Sequence, residues 1–475
     1  MKNITTALII ALLLPLTIIL AGCINDEFTT SPNDVLTFSV DTVAFDTVIT
    51  GDGTPTKQFV VYNRSKKQIN ISSIRVAGES EGHFFLNVDG TKGEVINDIE
   101  IRGEDSIFVF VESRLDPTGK IEPIEIKDHI EFVTNGVTQR VGLHAWAQDA
   151  IIFKNEVLTE DLHILAGLPY IVYDTLLVSP GVTLTLDPGS QLLFHDKAVL
   201  RVQGRLHAVG TQQQPINLRG DRLDHVVGEI DWDIMSGQWD GVVIDHGSYG
   251  NEMAYVYMRS TTNGINIVSG DPVKPSLHIL NSVLHNATNN VMTVLNAWIE
   301  AEGTEFSDAG NDVIQLTGGR LRLNNCTLAN FYLFNAIKGP LIELARLTEF
   351  EGAASVIELE GDFNNCIFYG NCDELNAGDL SGTKVYLRYC LIKNKGSDDA
   401  NFINCVWGAD PKFYLERDKY IFDYRLKPES DAIGKGNRAL TPDKARYDRY
   451  GNDRFAAGDY IDLGAYVFVA PPATE

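Results

Sequence analysis

Leu321-Arg-Leu-Asn-Asn-Cys326-Thr-Leu328 and Val385-Tyr-Leu-Arg-Tyr-Cys390-Leu-Ile392 carry one pattern, apolar-x-apolar-x-x-small-x-apolar. The same frame fits Leu277, Ile279, Ser282 and Leu284, then Ile299, Ala301, Thr304 and Phe306. It returns at Phe363, Cys366 and Phe368 and at Phe402, Cys405 and Trp407. The small position advances by 22 residues from Ser282 to Thr304, by 22 to Cys326, and by 24 from Cys366 to Cys390. Between Cys326 and Cys366 the interval is 40, which the repeat reads as two coils, the weaker near Leu344 and Leu347. Alternation with period two, broken by Asn and Gly, excludes a helical solenoid and predicts short strands. Strands stacked in register on those of the next coil make a parallel β-helix, with backbone groups paired at about 4.8 Å. An Asn precedes the small position at Asn281, Asn325, Asn365 and Asn404. Asn tolerates the left-handed backbone of a sharp corner, and stacked amides can hydrogen-bond along the ladder.

The frame also decides how the cysteines are read. Cys326, Cys366, Cys390 and Cys405 fall in the inward slot that Ser282 and Thr304 fill elsewhere, where a free cysteine behaves as a small hydrophobe. Two coils apart, Cys326 and Cys366 would lie roughly 9–10 Å from each other, beyond disulfide reach. Cys366 and Cys390 reach each other only from adjacent coils, and Cys372 is a loop residue without an obvious partner. The sequence has no C-x-x-C and no Cys/His spacing of a metal site.

Lys2, an apolar run from Ala7 to Leu20 and small residues before Cys23 have the layout of a secretory signal over residues 1–22. Leu20-Ala-Gly-Cys23 resembles the bacterial lipobox, which implies cleavage before Cys23 and attachment of lipid to its thiol and amine. Asn25-Asp-Glu27 resembles the surface-export signal of Bacteroidetes lipoproteins, which implies display on the outer membrane, at the cell surface facing the medium or alternatively facing the periplasm. Residues 23–35, polar and containing Pro32, read as the lipidated tether.

The chain has 39 basic and 64 acidic residues, a net charge of −25, and without Lys2 the balance is 38 − 64 = −26. Nucleic acid binding needs a basic face that displaces counterions, and no such face is encoded. Anionic polysaccharides are also repelled unless bound cations reverse the local sign.

Ahead of the repeats, residues 36–150 alternate differently. Strands are expected at Leu36–Val40, Gln58–Tyr62, Ile99–Ile101, Ile107–Val111, His129–Val133 and Val141–Ala145, with Asn135-Gly136 as a two-residue hairpin turn. About seven short strands in about 110 residues fit an immunoglobulin-like β-sandwich, here without a pinning disulfide.

The order of parts resembles the β-helix surface lipoproteins of Bacteroidetes. It rests on the lipobox, Val40-Asp-Thr-Val-Ala-Phe-Asp-Thr-Val48, Phe85-Leu-Asn-Val-Asp-Gly90 and Asp105-Ser-Ile-Phe-Val-Phe-Val111. Further landmarks are Leu184-Thr-Leu-Asp-Pro-Gly189, Gly220-Asp-Arg-Leu223, Gly237-Gln-Trp-Asp-Gly241 and Asp462-Leu-Gly-Ala-Tyr466, while Val467 departs from the Glu that often closes the last motif. The resemblance implies a right-handed, pectin-lyase-like β-helix on a lipid anchor, in a family without an established activity.

Many parallel β-helices cleave polysaccharides, but a fold does not carry a function. Asn371-Cys-Asp373, Asp398-Asp399 and Arg417-Asp-Lys419 are similar in order to parts of the polygalacturonase set, whose Gly-His-Gly is missing, so no catalytic residue is assigned. The densest constellation is Asp221, Asp224, Glu229, Asp231, Asp233, Asp240 and Asp245 around Trp232 and Trp239. If Asp231 and Asp233 are extended they point to one side and, with nearby carbonyls, could hold calcium. Paired carboxylates also serve glycoside hydrolysis, with a Trp as sugar platform. The plainer alternative is a solvated loop with Trp239 tucked under Gly241, and Arg222 is the basic residue beside it. His195-Asp196 reads as a surface turn, and Arg320 and Arg322 stand on the outer face.

The sequence therefore predicts an all-β chain, an immunoglobulin-like β-sandwich (36–150) followed by a right-handed parallel β-helix with a C-terminal cap (151–468) and a tail (469–475). About 305 residues at about 22 per coil allow roughly 13 coils. The expected role is a non-enzymatic, lipid-anchored envelope protein whose flat sides bind an extended glycan or another envelope protein. The alternative is a polysaccharide lyase or glycoside hydrolase with its site near residues 221–245. No cofactor is expected apart from calcium as a candidate ion. The membrane partner is outer-membrane lipid through Cys23.

Overall fold

The computed structural model describes residues 27–51, 56–78, 83–227, 230–268, 270–350 and 353–470. Cys23, most of the tether, Glu229 and the end of the tail lie outside them. Among the described residues there are strands and short 3-10 turns and no α-helix. The chain divides into two compact units between Asp149 and Ala150.

In the first unit two sheets enclose one core. One sheet pairs Leu36–Phe38, Lys57–Asn63, Ser106–Ser113, Phe84–Val88 and Thr91–Gly93 in that spatial order. The other is built on Thr42–Ile49, Val137–Gln148, Ile124–Thr134 and Ile69–Val76. Alternate residues point inward, so Phe59, Val61, Val109 and Val111 meet Ile71, Ile74, Phe132 and Leu143, all buried. Asn135 and Gly136 take φ of 50° and 79°, the left-handed pair of a type I′ turn, and set Thr134 opposite Val137. Strands Thr42–Ile49, Ile69–Val76 and Phe84–Val88 go beyond the sequence reading.

The second unit is β-helix-like, a 26-stranded sheet in which the chain returns to pair in parallel with its own earlier strands. Three ladders result. The first climbs from Leu162–Ile164 through Pro275–Leu280 to Phe402–Ile403, and the second from Ile151 through Val283–Ala287 to Val406–Trp407. The third runs through Gly241–Ile244 and Ile342–Ala345 and ends at Leu375–Asn376. Inward residues stack into one apolar column, among them Ile279, Ile299, Leu321, Leu323, Phe363 and Leu387, because the strand backbones pair with the coils on either side and alternate side chains face the axis.

The corner between the first two ladders carries the small slot. Leu280, Glu302, Asn324, Asn364 and Arg388 are in register, which files Ser282, Thr304, Cys326, Cys366, Cys390 and Cys405 two residues later along one interior column. Each thiol donates to a carbonyl of the coil below, as Cys366 does to Leu323 O at 3.5 Å and Cys390 to Phe363 O at 3.3 Å. All four are free. Asn281, Asn325, Asn365 and Asn404 have φ between 45° and 53°, as a left-handed corner requires.

One expectation is corrected. Asn324 pairs directly with Asn364, so the 40 residues from Cys326 to Cys366 make one coil, not two. The surplus is a long link, 331–341, between the second and third ladders and an antiparallel excursion, Leu347–Phe350 with Ala353–Val356, that leaves the third ladder after Ile342–Ala345. Cys326 and Cys366 are therefore on neighbouring rungs.

Candidate functional site

Residues 221–240 form an insertion between the second and third ladders, leaving after Ile216–Gly220 and rejoining at Gly241–Ile244. It contains a small hairpin, His225–Val227 with Ile230–Asp231, and a 3-10 turn at Trp232–Ile234. That turn separates Asp231 from Asp233, which do not share a side as an extended strand would have placed them. Asp231 is exposed and pairs with His225 Nε2 at 3.3 Å, whereas Asp233 is buried between Arg259 at 2.7 Å and Arg219 at 3.0 Å.

Every other described carboxylate of the constellation is also engaged. Arg222 grips Asp224 through two bonds of 2.7 Å and lies 3.9 Å over the Trp232 ring. Asp245 takes two bonds from Arg201 at 2.7 and 2.9 Å, and Asp240 accepts from Asn263 at 2.6 Å. Asp221 meets His195 Nδ1 at 2.7 Å, and its burial raises its carboxyl pKa above the ordinary range. The ring of His195 packs on Tyr173 with centroids 4.6 Å apart. Trp239 is fully buried, stacked on Phe194 at 4.0 Å and 6°, with its Nε1 donating to Arg259 O. It is a rung of the core, with no face left for a sugar.

Calcium needs several oxygens converging on one point. Here arginines occupy Asp224, Asp233 and Asp245, and among the described residues no three His, Cys, Asp or Glu side chains gather as metal ligands. Arg222 is local to Asp224, but Arg259 and Arg201 come from other coils, 26 and 44 residues from Asp233 and Asp245 in sequence, and the ladder register brings them together. Of the polygalacturonase-like fragments, Asp398 is spent on the amides of Asn404 and Cys405 and on Trp407 Nε1. Arg417–Lys419 form a short 3-10 turn.

The outer side of the first ladder offers a different arrangement. Trp298, Arg320, Glu360 and Lys384 stand one above another, and Glu300, Arg322, Asp362 and Tyr386 form the adjacent row. Arg320 reaches Glu360 at 2.7 Å, Lys384 reaches the same carboxylate at 2.7 Å, Arg322 meets Glu300 at 3.2 Å and Arg388 meets Asp362 at 2.6 Å. Arg320 and Arg322 lie over Trp298, at 4.8 and 5.4 Å, and Arg388 over Tyr386 at 4.7 Å. Each ion holds its neighbour in the next rung, which fixes a flat, partly exposed lattice of guanidinium and carboxylate groups.

A third cluster was invisible in the sequence because the contacts that build it join residues 72 to 238 positions apart. The segment after Gly408 is not an end cap: it runs back along the second ladder. Asn365 Nδ2 donates to Asn437 O at 2.9 Å, Thr441 Oγ1 to Asn325 Oδ1 at 2.7 Å, Asn281 Nδ2 to Tyr447 O at 3.0 Å, and Gln212 Nε2 to Tyr450 O. Asn281, Asn325 and Asn365 thus bind this strap rather than each other. Gly464, with φ of 85°, passes so close that a Cβ would sit 2.6 Å from Ile367 and Thr327 side chains. Beneath the strap, Tyr424 Oη donates to Asp308 at 2.6 Å and Tyr466 Oη to Glu305. Burial pushes Asp308 up to about 7 and raises Glu305, and it lowers His285 to about 3. His285 Nδ1 is 2.9 Å from Ser307 Oγ and 3.4 Å from Asp308. A nucleophilic triad needs the two ring nitrogens to serve the serine and the carboxylate separately, so this set, closed over by Phe422, is a lock and not a relay.

No family model matches this sequence, and no curated protein matches it. Solved structures show partial likeness. The catalytic unit of a GH87 alpha-1,3-glucanase from Streptomyces thermodiastaticus shares 10% identity over 74% of this chain and 84% of its own, at a TM-score of 0.22. A PapD-like domain of human CEP192 shares 10% over 27% of this chain and 96% of its own, at 0.19. A protein of unknown function from Porphyromonas gingivalis shares 10% over 26% of this chain and 59% of its own, at 0.18. Scores this low bear on neither activity nor ligand.

Proposed function

We propose that this chain is a non-enzymatic envelope protein, lipidated on Cys23 and held at the outer membrane on the cell surface, with the first ladder's outer lattice as its binding face for an extended glycan or an envelope protein. In this reading the first unit is an immunoglobulin-like spacer and the second a right-handed β-helix. The observation that carries it is the ion lattice around Trp298, Arg320, Arg322, Glu360 and Asp362, whose groups repeat at the strand spacing of about 4.8 Å and so match a ligand that is itself extended. The carboxylates near residues 221–245 support the non-enzymatic side, since those facing arginine are ill-suited to act as general acids or bases.

Pull-down with a panel of insoluble neutral polysaccharides tests it. The protein is retained, Arg320→Ala with Arg322→Ala is not, and no new reducing ends or ultraviolet-absorbing unsaturated products accumulate. Product formation that Asp231→Ala and Asp233→Ala abolish would favour a carbohydrate-active enzyme instead. Metabolic labelling with a fatty acid that fails in Cys23→Ala checks the anchor.

A further inference from the structure

The three ladders do not end together. The third stops at Leu375–Asn376, while the others continue through Lys384–Arg388 and Leu391–Ile392 to Phe402–Ile403 and Val406–Trp407. The missing rungs leave a cavity of about 580 Å³ in the last coils. Its floor is made by Phe368, in the coil that carries the last third-ladder strand, and by Leu387 and Ile392, inward residues of the next coil, which has no third-ladder strand. Phe402 and Trp407 form a wall, with ring centroids 5.1 Å apart. The indole is fixed, because Nε1 donates to Asp398 at 3.0 Å and Gly396 lies where a Cβ would fall 2.4 Å from the ring.

The rim carries Glu374, Asp379 and Asp399, and no Lys or Arg side chain lines the cavity among the described residues. The nearby Lys393 ammonium is turned to Gly370 O at 2.5 Å. Glu374 is 6% exposed, and its Oε2 accepts from Asn394 at 2.6 Å. Its Oε1 is buried without a hydrogen-bond partner. A buried acceptor of this kind is rare in folded proteins and calls for a donor.

We infer that this open end of the β-helix is a binding site for a small organic primary amine in its ammonium form. Three carboxylates with no lining cation exclude an anion and favour positive charge, and the faces of Trp407 and Phe402 attract it further. The unspent Glu374 Oε1 needs an N–H, which selects a primary over a quaternary ammonium. The apolar floor asks for a carbon body, and the volume lies within the roughly 300–1,000 Å³ typical of small-ligand sites. The site is separate from the first ladder's lattice and stands or falls without it.

Calorimetric titration of the full mature chain with D-glucosamine and cadaverine, against N-acetyl-D-glucosamine and tetramethylammonium, decides the matter. The two primary amines bind, the acetylated and quaternary compounds bind at least about tenfold more weakly, and hydrogen exchange slows in 374–381 and 394–407. Glu374→Gln, which preserves shape, weakens amine binding by about tenfold, and Trp407→Leu weakens it as well. Should Trp407→Leu misfold, Glu374→Gln and the exchange map suffice. Equal binding of the neutral sugar, protection elsewhere, or no binding up to about 10 mM overturns the inference.

Discussion

Asp308 and His285 face each other under the strap and respond to pH in opposite senses. Asp308 holds its proton to about 7 in the folded chain against 3.8 for an ordinary Asp, so its contribution to stability is full below 3.8 and is lost as pH rises through about 7. His285 is neutral down to about 3 against 6.5 for an ordinary His, so its contribution is full above 6.5 and is lost as pH falls toward about 3. The windows overlap between 3.8 and 6.5 and largely offset each other. Asp308→Asn removes the contribution that grows on acidification, so its melting temperature falls from pH 6.5 to pH 4 more steeply than that of the parent. His285→Gln does the reverse. Thermal melts across that range check both, and three parallel curves would refute the assignment. The cysteine column makes a second residue-level forecast. Cys326, Cys366 and Cys390 are fully buried with raised pKa, while Cys405 is partly exposed and a hydrogen bond from Cys390 lowers its thiol. Iodoacetamide on the native protein therefore labels Cys405 first, as peptide mass mapping reads directly. Cys326→Ser costs within about 1 kcal/mol, because the hydroxyls of Ser282 and Thr304 already serve that column, whereas Cys326→Leu costs about 1–3 kcal/mol by overpacking.

At the scale of elements, the corner joins two tasks in one side chain. Asn365 turns the backbone at φ of 53°, bonds Asn437 in both directions and reaches Thr441 at 3.1 Å, all while fully buried. Asn365→Ala forces an ordinary residue into the left-handed region and removes these bonds, a loss of about 2–4 kcal/mol by urea unfolding. Asn365→Gly restores the backbone freedom and costs less, and the difference measures the backbone share. Such corners were legible in the sequence because the column they serve repeats, and so was the Asn135-Gly136 hairpin, because its φ demand is local. What was not legible involves insertions and distance. The long link at 331–341 and the excursion at 347–356 added residues between Cys326 and Cys366 and mimicked an extra coil. Asp233 and Asp245 looked like part of a site only while Arg201, Arg219 and Arg259 were unplaced, since register, not local spacing, brings them together.

For the whole molecule, each unit has its own apolar core, and in the second unit the ladder and the strap contribute to cooperativity in different ways. Stacked coils touch only their neighbours, so a bare ladder unfolds as a chain of nearest-neighbour steps that can open from either end. The strap changes this. It bonds rungs as far apart as Gln212, Asn281, Asn325 and Asn365, and it buries Ala329, Ile367 and Leu391 under Tyr424, Leu426 and Leu463. Opening one end of the ladder must then break contacts at several rungs together. A chain ending at Gly408 loses that coupling: its urea transition broadens, its apparent m-value falls, and hydrogen exchange becomes graded from the ends inward instead of uniform. The same chain also bares the apolar outer side of the second ladder and binds more hydrophobic dye. A truncated chain that unfolds in one transition as sharp as the parent's would mean that the coils alone supply the cooperativity and that the strap merely covers them.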